Sequence, residues 1–208
     1  ISGDIGEDLN SAGLWDSLRE RPFDRVPNIN SKPNYIFVNC CRKDPLELNP
    51  NLIISKENNF FDLGLDALEE LAEDAVFLCG NEEIETANEN VEKFLISGKY
   101  PSGNSSAHIY KICPIRKSKK TWTISWQDVI RIGKYISTKS YCFDKYVSVT
   151  GSACVEPKLL KTVSGASLTE LTAGNTNKES RLISGSALYG TSGDSYTSYL
   201  TRYSDQVT

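Results

Sequence analysis

The chain has 208 residues, of which 39% are apolar and 24% charged, and this ordinary globular usage excludes collagen, coiled coil and disorder. Its 23 basic and 27 acidic residues leave a net charge of −4, which argues against a nucleic-acid partner because phosphate contacts need a basic surface. No Met occurs, not even at position 1, so the chain reads as a piece of a longer protein whose translation start lies elsewhere.

Along the chain, residues 11–20 place Ala12, Leu14, Trp15 and Leu18 at near-helical spacing, which predicts a helix ended by Pro22. Residues 24–33 are rich in Pro, Asn and Ser and read as a loop. Tyr35-Ile36-Phe37-Val38 is a short apolar run of strand formers, expected to be buried in a parallel sheet. Leu52-Ile53-Ile54 reads as a second, shorter strand. Residues 62–72 carry Leu63, Leu65, Leu68 and Leu71 among acids, the pattern of an amphipathic helix. Ala75 to Cys79 is a third strand, closed by Gly80, and 91–96 fits either a fourth strand or a helical turn. Residues 98–106 have loop chemistry and feed a helix through His108 and Ile112. Trp122 to Ile124 is a strand. Ser125, with Asp128 three residues on, resembles a capping box, opening a helix with Trp126, Val129, Ile130, Gly133 and Ile136 on one face. Strands alternating with helices imply βαβ units, so residues 1–144 are read as an α/β domain on a parallel sheet. The pattern changes over 145–208: strands at 146–150 and 159–163, one short helix at 167–171, and strand-like runs at 181–183 and 199–207 predict a small antiparallel α+β unit.

No apolar run approaches the roughly 18 residues that cross a bilayer. The six cysteines, at 40, 41, 79, 113, 142 and 154, lack the two-residue spacing of zinc or redox motifs. They read as reduced thiols in a reducing compartment, with Cys40 and Cys41 on opposite faces of a strand, and neither a metal site nor an iron–sulfur cluster is expected. His108 is the single histidine; any Ser–His or Cys–His machinery would need it, and a structural hydrogen-bonding role is the expectation. Gly185, Gly190 and Gly193 lie away from any βαβ turn and read as turn glycines rather than a dinucleotide fingerprint. The acids at Glu69, Glu70, Glu73 and Asp74, and at Glu82, Glu83 and Glu85, read as solvated faces, and the basic run Arg116 to Lys120 as a solvated turn. The triplet Asn104-Ser105-Ser106 matches a glycosylation acceptor by chance. Trp122 and Trp126 read as core, with a planar ligand as the sharper alternative. The residues alone show no catalytic set.

Several ordered segments together resemble the NqrA family, the A component of the bacterial Na⁺-translocating NADH:quinone reductase. They are Ser11-Ala12-Gly13-Leu14-Trp15 with Arg21-Pro22-Phe23 and Val26-Pro27; Tyr35 to Val38; Asp44-Pro45-Leu46; Gly64-Leu65-Asp66; Tyr100-Pro101-Ser102-Gly103 with His108-Ile109; Ile124 to Ile130; Thr162 to Leu168; and Leu182 to Gly190. Departures are Tyr100 and Tyr110 where that family has histidine, Cys40-Cys41, and Ser164 where Met is common. The resemblance implies a Rossmann-like domain over 1–144, similar to the flavoprotein subunit of respiratory complex I but without its flavin loop. A truncated β-grasp, soluble-ligand-binding (SLBB-like) domain would follow over 145–208. It implies a peripheral subunit on the cytoplasmic face of the bacterial inner membrane, meeting the membrane only through its complex. The complex couples NADH-to-ubiquinone electron transfer to Na⁺ export, with the other subunits as partners. NADH, flavin and Na⁺ belong to the whole complex, and this chain is expected to hold no cofactor, metal or catalytic residue of its own. Ubiquinone is the one ligand considered, with Pro101, Gly103, His108 and Trp126 as its candidate contacts: a polar group beside an aromatic wall suits a quinone head. The alternatives are a pure assembly scaffold and a flavin- and NADH-binding electron-input subunit.

Overall fold

A computed structural model describes residues 4–176, 180–192 and 198–208. The chain forms two compact units, one of Ile1–Lys43 with Asn49–Cys142, the other of Asp44–Leu48 with Phe143–Thr208. Both are α/β units built on mixed sheets.

The first unit opens with helix α1, Ile5–Ser11, whose first turn is capped by the Asp4 carboxylate accepting from the Gly6 N–H at 2.9 Å. This corrects the helix expected over 11–20. Gly13 adopts φ +71° and ends the helix; Leu14, Trp15 and Leu18 are buried instead by a 3₁₀ turn, Trp15–Ser17. Strand β1, Arg19–Arg21, follows. The apolar run at 35 becomes β2, Tyr35–Cys40, and is buried from Ile36 onward. Leu52 to Ile54 is helical rather than extended, in α2, Asn51–Ile54. There the Asn49 side chain accepts from the Asn51 N–H at 3.2 Å and starts the turn. Helix α3, Asn58–Leu71, strand β3, Ala75–Gly80, strand β4, Glu92–Leu95, helix α4, Ser105–Ile112, strand β5, Thr121–Ser125, and helix α5, Trp126–Thr138, complete the unit.

The sheet order is β1-β5-β2-β3-β4. The last four strands are mutually parallel, whereas β1 pairs antiparallel with β5, so the expected all-parallel sheet carries an antiparallel edge. Alternation sorts the side chains to two faces. Phe37, Cys41, Phe77 and Cys79 pack with Ile109 of α4 and Ile96 on one face. Ile36, Val38, Val76, Leu78, Trp122 and Ile124, all buried, point to the other, which α3 and α5 cover. Those two helices cross through glycines. A Cβ on Gly133 would sit 1.7 Å from the Phe60 carbonyl oxygen, and one on Gly64 would sit 2.1 Å from the Val129 carbonyl oxygen. Trp122 is fully buried edge-on against Trp15, with centroids 5.5 Å apart, so it is core.

In the second unit, β6, Asp144–Val149, and β7, Lys158–Val163, form an antiparallel hairpin. Helix α6, Leu168–Leu171, is capped by Ser167. Short strands β8, Ile183–Ser184, β9, Thr191–Ser192, and β10, Gln206–Val207, follow. The order is β7-β6-β10-β8-β9, with β10 parallel to β6 at the centre, so the unit is mixed rather than antiparallel. The strand expected over 199–207 is confined to β10, with Tyr199 bridging only to Ser167. Val147, Val149, Leu168, Leu200 and Val207 form its core. Beside them Lys145 Nζ is buried against Asp205 Oδ1 at 2.9 Å and the Arg202 carbonyl at 2.7 Å. Gly185, at φ +100°, packs its backbone against Gly190; Gly193 lies outside the described residues.

Candidate functional site

Open α/β sheets bind ligands beyond the carboxyl ends of their strands, where successive connections diverge. In the first unit that point lies between β2 and β5: the chain leaves β2 toward β3 and β4, then returns to β5 on the other side. Asn39 and Ser125, register partners, stand at this edge.

Asn39 is buried and all of its polar atoms are used. Its Nδ2 donates to the Gly103 carbonyl at 3.0 Å and to Ser105 Oγ at 3.0 Å, and its Oδ1 accepts from the Cys41 N–H at 2.9 Å. Ser125 caps α5: its hydroxyl accepts from the Asp128 N–H and donates to Asp128 Oδ2 at 2.8 Å. Asp128 in turn holds the buried Arg131 guanidinium and accepts from Ser17 Oγ at 3.3 Å. Arg21 donates to Ser106 Oγ and pairs with Asp24 at 3.0 Å. These polar groups are thus tied to one another.

The crevice is also closed by backbone. A Cβ on Gly103 would fall 2.5 Å from the Arg42 carbonyl oxygen and 3.1 Å from Lys43 Cα, so the loop before α4 lies directly on the chain leaving β2. A dinucleotide or flavin phosphate needs a tight glycine turn that passes straight into a helix N-terminus. Residues 41–50 contain no glycine, and Asp44–Leu48 group with the second unit before α2 begins. There Leu46 offers its carbonyl to Ser148 Oγ at 3.3 Å, and Asp44 accepts from the Tyr189 hydroxyl. The residues present do not fit a flavin or nicotinamide phosphate grip, and no redox step is assigned to them.

His108 sits on α4 with 1% exposure. Its Nε2 is 3.0 Å from the Ser102 carbonyl and 3.7 Å from Cys41 Sγ. A carbonyl only accepts, so Nε2 carries the proton and Nδ1 is a buried acceptor with no hydrogen-bond partner among the described residues. Burial lowers the imidazole pKa, opposed by the Ser102 hydrogen bond, and nearby Lys111 lowers it further. The apposition of Cys41 and His108 resembles a thiol–imidazole dyad, but its polarity is wrong. The ring proton faces Ser102, and the Cys41 thiol is 3.5 Å from the Cys79 carbonyl. The neighbouring thiols are hard to ionise: burial, then Cys41, pushes Cys79 up to about 12, and burial, then Cys41 and Cys79, raises Cys40 well above its usual value. None of the six cysteines is in a disulfide. This arrangement pins a loop; it makes no nucleophile.

Of the four candidate contacts, Pro101, Gly103 and His108 belong to one loop-and-helix segment at this edge. Pro101 is exposed and Gly103 and His108 are buried. Trp126 is the first residue of α5, 2% exposed, in the layer on the opposite face of the sheet. Asn39 and Ser105, which hold the segment in place, carry only a weak sequence signal: an amide directly after four apolar strand residues. The basic run forms an exposed turn with an Arg116–Lys119 bridge, and Lys119 pairs with Asp74 at 2.6 Å. Glu69 accepts from Asn88 and Glu82 from Asn49. Among the described residues no His, Cys, Asp and Glu group could hold a metal ion, and no helix is long and apolar enough to cross a membrane.

Comparison with known proteins adds a family. A model described as the NqrA second alpha/beta domain matches residues 2–141, and one described as the NQRA C-terminal domain matches residues 146–194. The A component of the Na(+)-translocating NADH-quinone reductase of Saccharophagus degradans is 40% identical over 205 residues, covering 97% of this chain and 46% of that protein. Its counterparts in Pasteurella multocida and Vibrio alginolyticus are each 38% identical, over 99% and 98% of this chain and 47% and 46% of theirs. The chain therefore spans about half the length of these relatives. A chain of the NAD+-reducing [NiFe]-hydrogenase in its air-oxidized state superposes with a TM-score of 0.63 at 14% identity, covering 98% of this chain and 46% of that one. That likeness speaks to fold alone.

Proposed function

Because the chain belongs to the NqrA family, we propose that it works as part of the NqrA component of a Na⁺-translocating NADH:quinone reductase. The complex would pass electrons from NADH to ubiquinone and couple this to Na⁺ export. The chain would contribute contacts to the other subunits and to ubiquinone, with no redox centre of its own. In this reading the first unit is a Rossmann-like domain. The second is a β-grasp domain, a reading favoured by its central parallel pair β6 and β10 between two antiparallel arms. The chain would sit at the cytoplasmic face of the inner membrane, held there by its partner subunits. The quinone contact is assigned to the loop of Pro101 and Gly103, exposed at Pro101, with buried Gly103 and His108 fixing it from beneath.

The observation that carries the absence of a redox centre is the Gly103 backbone lying against Arg42 and Lys43, where a phosphate grip would be. Two measurements on the purified chain test the proposal. Titration with ubiquinone-1 is expected to quench tryptophan fluorescence saturably, less tightly in Pro101→Ala. An absorbance spectrum is expected to lack a flavin band. A flavin band, or no saturable change with ubiquinone-1, would overturn it.

A further inference from the structure

Helix α4 covers its face of the first sheet only in part. Ile109 packs onto Phe37 and Phe77, but the helix ends at Ile112. Past that end, toward the amino ends of β2 and β3, a cleft of about 590 Å³ remains. This lies within the range of small-molecule sites.

Three aromatic rings form its apolar side. Phe77 is the floor, 6% exposed. Tyr35 stacks on it with centroids 5.6 Å apart and planes 27° apart, and Phe94 meets it edge-on at 5.7 Å. Tyr35 and Phe94 are only half-buried, and Phe94 belongs to the exposed edge strand β4. Ring area is thus left over at the mouth of a cavity after the core has been packed.

The rim is polar and balanced in charge. Asp74 is already engaged, by Lys119 at 2.6 Å and Asn34 at 3.1 Å. Glu92 and Lys111 also line the cleft, and among the described residues neither is in an ion pair. One carboxylate and one ammonium therefore face the cavity uncommitted. With Asp74 neutralised by Lys119, Glu92 and Lys111 leave no net charge, which favours an uncharged ligand, and the half-buried Phe94 ring favours a flat one.

We propose that this cleft binds a small, uncharged, conjugated ring with carbonyl oxygens on its edge. The ring lies against Phe94, a carbonyl accepts from the Lys111 ammonium, and any N–H or O–H of the ligand faces Glu92. A benzoquinone head and a fused carbonyl heterocycle share this chemistry. The site does not depend on the quinone contact assigned to the loop around Pro101.

The test uses the whole chain with two probes, ubiquinone-1 and lumichrome, each followed to saturation by fluorescence and calorimetry. At least one probe is expected to bind in a way that the rim variants weaken and Pro101→Ala does not, and the probe that does so identifies the ligand class. Phe94→Ala is expected to weaken it about tenfold, the loss of one stacked ring, and Lys111→Met about fivefold. Glu92→Gln and Lys111→Met change exposed rim positions, so they decide the matter should Phe94→Ala fail to fold. If neither probe binds, or if binding is the same in the rim variants as in the unaltered chain, the site is wrong. Binding of ubiquinone-1 weakened by Pro101→Ala but untouched by Lys111→Met, with no binding of lumichrome, would also sink this cleft, while leaving the loop assignment standing.

Discussion

Gly133→Ala tests the packing that holds the first unit together. A methyl group needs about 3.5 Å from its neighbours. The added Cβ would lie 1.7 Å from the Phe60 carbonyl oxygen, 2.7 Å from its carbon and 3.0 Å from the Gly64 nitrogen. All three are backbone atoms inside or beside α3, so no side chain can swing aside, and α3 and α5 must part by about 1.5 Å. Separation loosens Phe61, Leu65 and Leu68 on one helix and Val129 and Ile132 on the other, all fully buried. Alanine gains about 1 kcal/mol over glycine in helix propensity, whereas overpacking costs about 3 kcal/mol at a site this rigid. The net expectation is a loss of about 2 kcal/mol, or a Tm lower by about 4–8 °C. Urea denaturation followed by tryptophan fluorescence measures it cleanly, because Trp15, Trp122 and Trp126 are all buried in this unit. Ser137→Ala, on the exposed side of α5, is the control and should change stability by less than about 0.5 kcal/mol. A Gly133→Ala variant as stable as the unaltered protein, or more so, would refute the close crossing.

Three further outcomes are expected. Burial lowers the His108 pKa below its ordinary 6.5, so the unfolded chain takes up a proton first. Stability should be full above about pH 6.5 and decline as the pH falls below it, by at most about 1.4 kcal/mol per unit. Denaturation at pH 7.5 and 5.5 measures this, and the same decline in His108→Gln would show that the histidine is not the cause. Asn39→Ala strands the Gly103 carbonyl and the Cys41 N–H, at a cost of about 2–3 kcal/mol. Hydrogen exchange should quicken at Ser102 to Ser105, and unchanged exchange there would count against the clamp. In the second unit, Lys145→Met leaves the buried Asp205 carboxylate uncompensated and should cost about 3 kcal/mol by chemical denaturation followed by circular dichroism. Adding Asp205→Leu should recover most of that loss, and no recovery would mean that the pair acts through something other than its charges.

Long, strongly patterned elements were legible in the sequence. Strands β2 and β3 are continuous apolar runs, β5 alternates Trp122 and Ile124 with polar residues, and α3 and α5 show a full amphipathic period, down to the Ser125 cap. Short runs were not. Three apolar residues at 52–54 satisfy strand and helix equally, and the Asx turn at Asn49, which favours helix, has no apolar signature. The 11–20 segment misled because Leu14, Trp15 and Leu18 are buried at helical spacing by a chain that turns at Gly13 instead. At the candidate site, a lone histidine stood out, but its partners Ser102 and Cys41 come from a loop and a strand end. Asn39 carries only a faint signal for the same reason: its three hydrogen bonds run to Gly103, Ser105 and Cys41, two of them more than sixty residues away. The Tyr35–Phe77–Phe94 cleft gathers rings from three strands, and no local pattern announces it.

The five residues Asp44–Leu48 have a practical consequence for dissecting the molecule. Because they group with the second unit while their neighbours on both sides group with the first, no single cut of the polypeptide yields two intact pieces. A fragment stopped at Cys142 would keep Leu46 but lose Ser148, which its carbonyl bonds, and would strand Asp44 without Tyr189. A fragment begun at Phe143 would lose that segment altogether. Faithful halves require a short linker in place of Asp44–Leu48 in one and a supplied copy of the segment in the other.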